Sequence, residues 1–190
     1  MQQQEILLIH GKNYKQMTKK LLQAAGLAEE IGSRETPVAL KPNLVIGAPA
    51  SRGATTHPEL VAGVLEYLQE NGFRDLRVIE GSWVGSRTSE AAQTSGLLDV
   101  CRQYHVPFID LQKDASASYD AKGMQIKVCN EVTRPGFLIN MPVLKGHGQT
   151  LITCALKNAK GLIPNSEKRR FHALGLHAPI AHLNALIRWD

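Results

Sequence analysis

The segment from His147 to Gly161 has the highest density of side chains that could do chemistry. It reads HGQTLITCALKNAKG and contains two lysines, a histidine and an asparagine. If a helix begins near Thr150, a turn of about 100° per residue puts four polar residues on one face: Thr150, Thr153, Lys157 and Lys160. Two lysines on one face repel each other unless an anion lies between them. This pattern predicts either an anion-binding face or an ordinary amphipathic helix with hydrated lysines.

Two side chains of this segment are candidate catalytic groups. A buried lysine with a lowered pKa can act as a nucleophile or covalent anchor. A neutral histidine can take a proton from a carbon acid or ligate a metal. We therefore expect Lys157 and His147 to form a catalytic pair, with Glu80 as a third candidate acid/base or metal ligand. The local excess of positive charge predicts a lowered pKa for Lys157.

Polar residues also follow three predicted strands, at Lys41–Asn43, Glu80–Ser82 and Asn140–Pro142. In open α/β sheets, ligands bind beyond the carboxyl ends of the strands, where loops meet helix N-termini. We expect these strand ends to converge on one site. The candidate ligand-binding residues are Lys41, Asn43, Thr56, His57, Asn140, Lys145, Asn158 and Lys160.

Several histidines of this sequence are candidate metal ligands. His172, His177 and His182 are five residues apart, so on a helix each step rotates by about 140° and they do not share a face. His147 could instead pair with His172 or His177 from separate loops. The candidate metal ligands are therefore His147 and His172.

Short apolar runs alternate with helical patterns along the chain. The predicted strands are 5–10, 37–43, 76–81, 106–111, 124–129 and 136–145. The predicted helices are 14–30, 56–71 with a capping box at Thr56, 88–104 with a break near Gly96, and 150–161. This alternation indicates an α/β fold with a mostly parallel twisted sheet and flanking helices. The fold is Rossmann-like but not a standard dinucleotide-binding fold, because neither a phosphate-binding loop motif nor a G-x-G-x-x-G is present.

The net charge of +5 is concentrated at one end of the sequence. Residues 141–190 contain seven Lys and Arg against two Asp and Glu, and residues 1–140 are balanced. This favours anionic partners. The run Lys168–Arg170 raises nucleic-acid binding as a further alternative, but no aromatic platform accompanies it and nucleic acid is not the expected partner.

No apolar run is long enough for a membrane span. Three widely spaced cysteines indicate neither a disulfide framework nor a CxxC metal site, so we expect a cytoplasmic protein.

Several segments resemble the bacterial and archaeal family known as domain of unknown function 362. They are VALKPNLV (38–45), ATTHPELV (54–61), VIEGS (78–82), SGLLDV (95–100) and INMPVLKGHGQTLITCALKNAKGLIP (139–164). The resemblance implies an α/β protein of unassigned activity, often joined to a ferredoxin-like module with two iron–sulfur clusters. This chain has no cysteine quartet, so we expect no cluster in it.

The same resemblance implies that residues 1–190 are a single α/β domain, the N-terminal portion of a longer family domain. Relatives continue beyond the point where this sequence stops. We therefore expect four apolar residues to be exposed, or covered by the missing half or by a partner chain: Leu183, Leu186, Ile187 and Trp189.

A more distant likeness is to the N-terminal domain of nickel-pincer lactate racemase. That enzyme has a Thr-His pair, a histidine at a strand end, a lysine ten residues later that holds the cofactor, and a nickel-binding histidine. Thr56-His57, His147, Lys157 and His172 occur in that order here. The likeness implies a nickel-pincer-type cofactor at Lys157.

Taken together, the sequence predicts a protein that binds a small anionic ligand or a phosphate-bearing cofactor, with or without catalysis by a Lys/His site. The first alternative is a redox-associated module that docks an iron–sulfur protein. The second is nucleic-acid binding through the basic C-terminal part.

Overall fold

The computed structural model describes residues 5–187. Its strands are β1 (Val38–Pro42), β2 (Leu76–Glu80), β3 (Phe108–Asp110), β4 (Ser116–Ala121), β5 (Met124–Cys129), β6 (Phe137–Met141), β7 (Lys145–His147) and β8 (Leu151–Thr153). Its α-helices are α1 (Tyr14–Ala25), α2 (Leu27–Ile31), α3 (Pro58–Glu70), α4 (Thr88–Thr94), α5 (Leu97–Gln103), α6 (Ala155–Asn158), α7 (Asn165–Ala173) and α8 (His177–Leu186). Short 3₁₀ helices cover Ala50–Arg52, Asn130–Val132 and Ala159–Leu162.

The central sheet is parallel and has the order β3-β2-β1-β6. Every residue of β1 is buried, as expected for an inner strand covered on both faces. In register, Lys41 of β1 lies beside Asn140 of β6, and Glu80 of β2 beside Asp110 of β3. The predicted α/β fold is therefore confirmed, and the three polar strand ends do meet at the carboxyl edge of one sheet.

Three buried clusters hold the fold together, and the smallest packs the sheet residues Ala39, Ile79 and Leu138 against Leu162. In the first, α1 packs on α3, and the apolar stripe of α3 packs against β1 and β2. Gly63 lets the two helices approach closely, because a Cβ at that position would lie 2.7 Å from Thr18 Cβ. The second cluster joins the β4–β5 hairpin to α7 and α8 around Phe171.

The predicted strand 5–10 is wrong. Those residues form no strand, and Ile6 and Leu8 are 89% and 90% exposed. Their apolar character predicted a strand, but a strand also needs a neighbour, and none of the described strands pairs with this segment. The predicted helix 14–30 is divided at Gly26, which adopts a left-handed conformation (φ 64°). The break of the helix 88–104 at Gly96 is confirmed.

The segment between β6 and α7 differs most from its prediction. The strand 136–145 ends at Met141, and residues 145–153 form the antiparallel hairpin β7–β8 instead of beginning a helix. The β-branched residues Ile152 and Thr153 favour strand over helix. As a result, Thr150 and Thr153 do not share a helix face with Lys157, and α6 is only four residues long.

The strand β4 was missed, because SASYDA has little apolar character. Its signal is the turn that follows it, in which Lys122 and Gly123 both have positive φ, as a tight two-residue hairpin turn requires.

The expectation of exposed apolar residues near residue 190 is wrong for Leu183, which is fully buried in the second cluster. Leu186 and Ile187 are half-buried against the same cluster. Trp189 lies outside the described residues. Within residues 5–187, none of the helices has both the length and the apolar character that crossing a membrane requires.

Candidate functional site

A buried ion pair lies at the carboxyl end of the sheet. Lys41 Nζ is 2.5 Å from Glu80 Oε2, and the two residues are 0% and 1% exposed. Burial lowers the pKa of Lys41 and raises the pKa of Glu80, and the attraction between the two charges opposes both shifts. A buried pair of this kind persists only when its remaining donors and acceptors are also satisfied.

Those remaining groups are satisfied. Lys41 Nζ also donates to the Pro42 carbonyl (2.8 Å) and to Asn158 Oδ1 (3.2 Å). The Glu80 carboxylate accepts the backbone N–H groups of Leu44 (3.2 Å) and Gly81 (2.8 Å). Glu80 is therefore committed to holding the strand ends together and is not a free acid/base group.

Asn158 and Gly161 attach the following segment to this pair. Asn158 Nδ2 donates to the Lys41 carbonyl (3.2 Å) and to Asn140 Oδ1 (2.8 Å), which ties α6 to both β1 and β6. A Cβ at Gly161 would lie 2.2 Å from Glu80 Oε1 and 2.7 Å from Lys41 Nζ. Only glycine allows the backbone to pass this close to the ion pair.

A cavity of about 180 Å³ lies against the Glu80 side of this pair. Four lysines line it together with two histidines and a tryptophan, and Glu80 is the single acidic residue among the lining residues. The charged and aromatic lining residues are Glu80, Trp83, Lys145, His147, Lys157, Lys160, Lys168 and His172. Because Lys41 already pairs with Glu80, the cavity carries a strong excess of positive charge.

Burial lowers the pKa of each lining lysine. The pKa falls to about 8 for Lys145, Lys160 and Lys168. The pKa of Lys157 is also lowered, as predicted, but by burial rather than by neighbouring charges. The Lys157 charge in turn contributes to the lowered pKa of Lys145 and Lys160. An anion in the cavity would offset the cost of burying these ammonium groups and raise their pKa values again, since an opposite charge favours the charged form.

The lysines differ in how they are held. Lys168 Nζ donates to the carbonyls of Gly81 (2.9 Å) and Ser82 (2.8 Å). Lys145 Nζ donates to Asn43 Oδ1 (2.6 Å) and to a backbone carbonyl. By contrast, Lys157 Nζ has no hydrogen-bond acceptor among residues 5–187, so its donors are open to a ligand.

The contacts of the two histidines assign their protons. His147 Nδ1 accepts the backbone N–H groups of Gln149 and Thr150, both at 3.2 Å. The proton of neutral His147 is therefore on Nε2. Burial, and secondly the Lys157 charge, lowers the pKa of His147 and keeps the ring neutral. His147 can thus donate a hydrogen bond to an anion from Nε2.

His172 is held between two side chains. Its Nδ1 is 3.0 Å from Gln149 Oε1, and its Nε2 is 2.9 Å from Lys160 Nζ. The Lys160 ammonium donates to Nε2, which leaves Nδ1 as the donor to the amide oxygen.

These residues do not fit a resident metal ion. A metal-bound histidine keeps a lone pair for the metal and donates its other ring N–H to an acceptor. His147 instead has its lone pair at Nδ1 occupied by two backbone donors, and the lone pair of His172 faces an ammonium. No group of three His, Cys, Asp or Glu in the described part of the chain is placed to hold a metal, and the surrounding lysines repel cations.

Four of the eight predicted ligand-binding residues lie outside the cavity lining: Lys41, Thr56, His57 and Asn140. Thr56 Oγ1 accepts the Asn43 N–H (2.7 Å) and donates to the Met141 carbonyl (2.7 Å). His57 rather than Thr56 is the N-cap of α3, and its ring packs on the Tyr14 ring in a tilted arrangement, with centroids 4.4 Å apart and an interplanar angle of 44°. Lys41 and Asn140 likewise act behind the cavity, whereas Asn43, Lys145, Asn158 and Lys160 line it.

Two of the charged and aromatic lining residues, Trp83 and Lys168, were not predicted from the sequence. Lys168 was counted as part of a basic surface run, but it is buried on the same side of α7 as Phe171. Trp83 follows the Glu80 strand end by three residues and is 52% exposed. Its signal was a large aromatic residue placed directly after a polar strand end.

Two comparisons relate this chain to known proteins. It is 28% identical over 135 residues to a thylakoid-associated protein of Synechocystis sp.. That match covers 71% of this chain and 41% of the relative, so the chain spans less than half of the relative's length. Neither comparison concerns lactate racemase, and that likeness stays a prediction. The second comparison matches residues 38–190, which include every residue of the cavity lining, to the family described as domain of unknown function (DUF362). The chain therefore belongs to the DUF362 family.

Proposed function

We propose that this chain binds a small anionic ligand that carries phosphate or carboxylate groups. The observation that carries the proposal is the convergence of four lysines on one cavity, against a single carboxylate that already has Lys41 as its partner. Groups of like charge that are partly buried cost free energy unless a counter-charge accompanies them. A bound anion supplies that counter-charge.

The donors divide into two kinds. Lys145 and Lys168 are fixed by protein acceptors and supply mainly a positive field. Lys157 and the Nε2–H of His147 are open donors, so they are the groups that would contact the anion directly. We keep Lys157 as the candidate nucleophile of the site and assign His147 the role of hydrogen-bond donor.

The size of the cavity fits a small charged group. Its volume of about 180 Å³ is below the roughly 300–1,000 Å³ typical of sites for drug-sized molecules. A phosphate or carboxylate group fits such a space, and the rest of a larger ligand would extend beyond it.

The nucleic-acid alternative loses its main support. Within the run Lys168–Arg170, Lys168 is buried against backbone carbonyls and Arg170 pairs with Glu167. Only Arg169 is exposed, so the run does not present three positive charges to solvent.

The alternative of a module that docks an iron–sulfur protein has one observation in its favour. Leu144, Leu151 and Ile152, in and beside the β7–β8 hairpin, are exposed apolar side chains. Neighbouring exposed apolar residues can mark a protein-binding surface. Gel filtration of the chain with a two-cluster ferredoxin tests this alternative, and co-elution that Leu151→Ser removes would favour it.

Thermal melting with added anions tests the anion-binding proposal. Inorganic phosphate, pyrophosphate and citrate are added to the wild type, to Lys157→Met and to the control Lys127→Met, which removes an exposed lysine of β5. A ligand at about 100 times its Kd adds about 2.7 kcal/mol to stability. We expect at least one anion to raise the Tm of the wild type and of Lys127→Met, and to raise the Tm of Lys157→Met much less. No increase with any anion in the wild type would contradict the proposal.

A further inference from the structure

We infer that the ligand carries a flat aromatic ring, such as a nucleotide base, joined to its anionic group, and that the ring stacks on Trp83. This inference rests on the proposed anion site and names the class of molecule that would occupy it. It begins from one observation: an indole that is half exposed lines the same cavity as the four lysines. A half-exposed tryptophan in a charged cavity has no role in holding the fold core.

The indole is held in place before any ligand binds. The backbone N–H of Trp83 donates to the Val45 carbonyl (3.0 Å), and the backbone carbonyl of Trp83 accepts the Ser86 N–H (2.9 Å), which fixes the backbone that carries the indole. The ring lies against the backbone of Gly85, where a Cβ would be 2.1 Å from ring atom Cζ3. Gly85 therefore supports the ring, and the exposed remainder of the indole is available for stacking at low entropic cost.

Positive charge lies at the backbone segment that carries this ring. Lys168 Nζ is 2.8 Å from the carbonyl of Ser82, the residue that precedes Trp83. An indole face attracts either a cation or another aromatic ring. The four lysines repel a cation, so the ligand that satisfies both the indole and the lysines is an aromatic ring that carries negative charge.

The cavity volume also indicates that the anionic group and the ring of the ligand lie in different places. About 180 Å³ holds a phosphate group but not a whole nucleotide. The anionic group would therefore occupy the lysine-lined space, and the ring would extend to the exposed indole.

Binding of ADP and pyrophosphate, which share a diphosphate but differ in the base, tests this inference. Titration calorimetry at fixed ionic strength would measure both Kd values for the wild type, Trp83→Leu and Trp83→Phe. We expect ADP to bind the wild type at least 10-fold more tightly than pyrophosphate, which corresponds to about 1.4 kcal/mol. Trp83→Leu should bring ADP to the pyrophosphate value, and Trp83→Phe should keep most of the difference because it keeps a ring.

Fluorescence provides a second readout, and its comparison of two ligands on the wild type needs no variant. The chain has two tryptophans, Trp83 and Trp189. ADP, but not pyrophosphate, should quench the emission of the wild type, and Trp83→Phe should lose that quenching while the Trp189 emission remains.

The outcomes separate this inference from the proposed function. Equal Kd values for ADP and pyrophosphate, unchanged in Trp83→Leu, would overturn the aromatic part and leave the anion site standing. Adenosine binding as tightly as ADP would overturn the link between ring and charge. Failure of pyrophosphate, phosphate, citrate and ADP alike to bind the wild type would overturn both.

Discussion

Lys41 Nζ and Glu80 Oε2, on neighbouring strands of the sheet, are 2.5 Å apart and shielded from solvent. This contact fixes the ends of β1 and β2 and neutralises the carboxylate that would otherwise repel an anion. The excess of positive charge that four lining lysines give the cavity therefore also depends on Lys41, which does not line it.

The first prediction concerns this pair. Glu80→Gln leaves the Lys41 ammonium buried without a counter-charge, and breaking a buried ion pair in this way costs about 3–5 kcal/mol. Urea denaturation would measure the free energy of unfolding. The double variant Lys41→Met/Glu80→Leu, which removes both charges, should be more stable than Glu80→Gln. A cost below about 1 kcal/mol for Glu80→Gln would show that the pair is not the main contact between the strand ends.

The second prediction concerns Gly161. Its added methyl group would lie 2.2 Å from Glu80 Oε1, so Gly161→Ala should displace the carboxylate, lower stability and weaken anion binding. Gly148→Ala is the matched control, since a Cβ at Gly148 meets nothing within 4 Å. We expect the control to remain within about ±0.5 kcal/mol of the wild type in urea denaturation. Equal effects of the two substitutions would contradict the close approach at Gly161.

How far the fold could be predicted depends on whether the signal was local. The helix α3 and the strands β1 and β2 carry their periodicity and their end signals within a few residues, and their positions were predicted. The hairpin β7–β8 was not predicted, because the pattern of LITCAL (151–156) is compatible with a strand and also with one side of a helix. The prediction of a strand at 5–10 was wrong for the opposite reason. Its apolar pattern is local, but a strand also needs a partner strand, and that partner is distant in the sequence.

The residues of the candidate site were likewise predictable only where their signal was local in the sequence. Lys145, His147 and Lys157 were identified because they cluster in the sequence near a strand end. Trp83 and Lys168 reach the cavity from segments 85 residues apart, and only the packing of α7 against the end of β2 brings them together. Thr56 and His57 were expected in the site because of their order in the sequence. Sequence order does not show whether a side chain faces the cavity, and these two do not line it.

The third prediction concerns pH. Lys145, Lys160 and Lys168 have a pKa of about 8 in the folded chain, below the ordinary value of 10.5. As pH rises above 8 the folded state loses protons that the unfolded state keeps, so these groups make stability rise with pH from about 8. Burial raises the pKa of Cys101 to about 11 and of Cys129 to about 12, which opposes the rise above pH 9.

Urea denaturation between pH 7 and 9 measures this dependence. Lys160→Met should show a shallower rise than the wild type, because one of the three lysines no longer titrates. Anion affinity should change in the opposite direction and fall as the lysines lose charge above pH 8. A wild type whose stability falls between pH 8 and 8.5 would contradict the lowered lysine pKa values.

The fourth prediction concerns the proton of His147. Because Nδ1 accepts two backbone N–H groups, neutral His147 should carry its proton on Nε2. Nitrogen chemical shifts in NMR distinguish the two tautomers. The same spectra should give a titration midpoint below 6.5, since burial and the Lys157 charge lower the pKa. A proton on Nδ1 at pH 7 would remove His147 as the donor to the anion and reopen its role as a metal ligand.

The last prediction separates two adjacent basic residues of α7. Lys168 is buried and donates to the carbonyls of Gly81 and Ser82, whereas Arg169 is exposed. Lys168→Met leaves the buried Gly81 carbonyl without its donor and the Ser82 carbonyl with only the longer contact to Gln112 Nε2 (3.4 Å). An unsatisfied buried group costs about 1–3 kcal/mol. Arg169→Met should stay within about ±0.5 kcal/mol of the wild type.

Because the two carbonyls immediately precede Trp83, Lys168→Met should also shift the tryptophan emission and weaken pyrophosphate binding, while Arg169→Met should change neither. Similar losses of stability and binding in both variants would mean that Lys168 and Arg169 contribute as one basic surface, and Lys168 would then have no separate role in positioning the loop that carries Trp83.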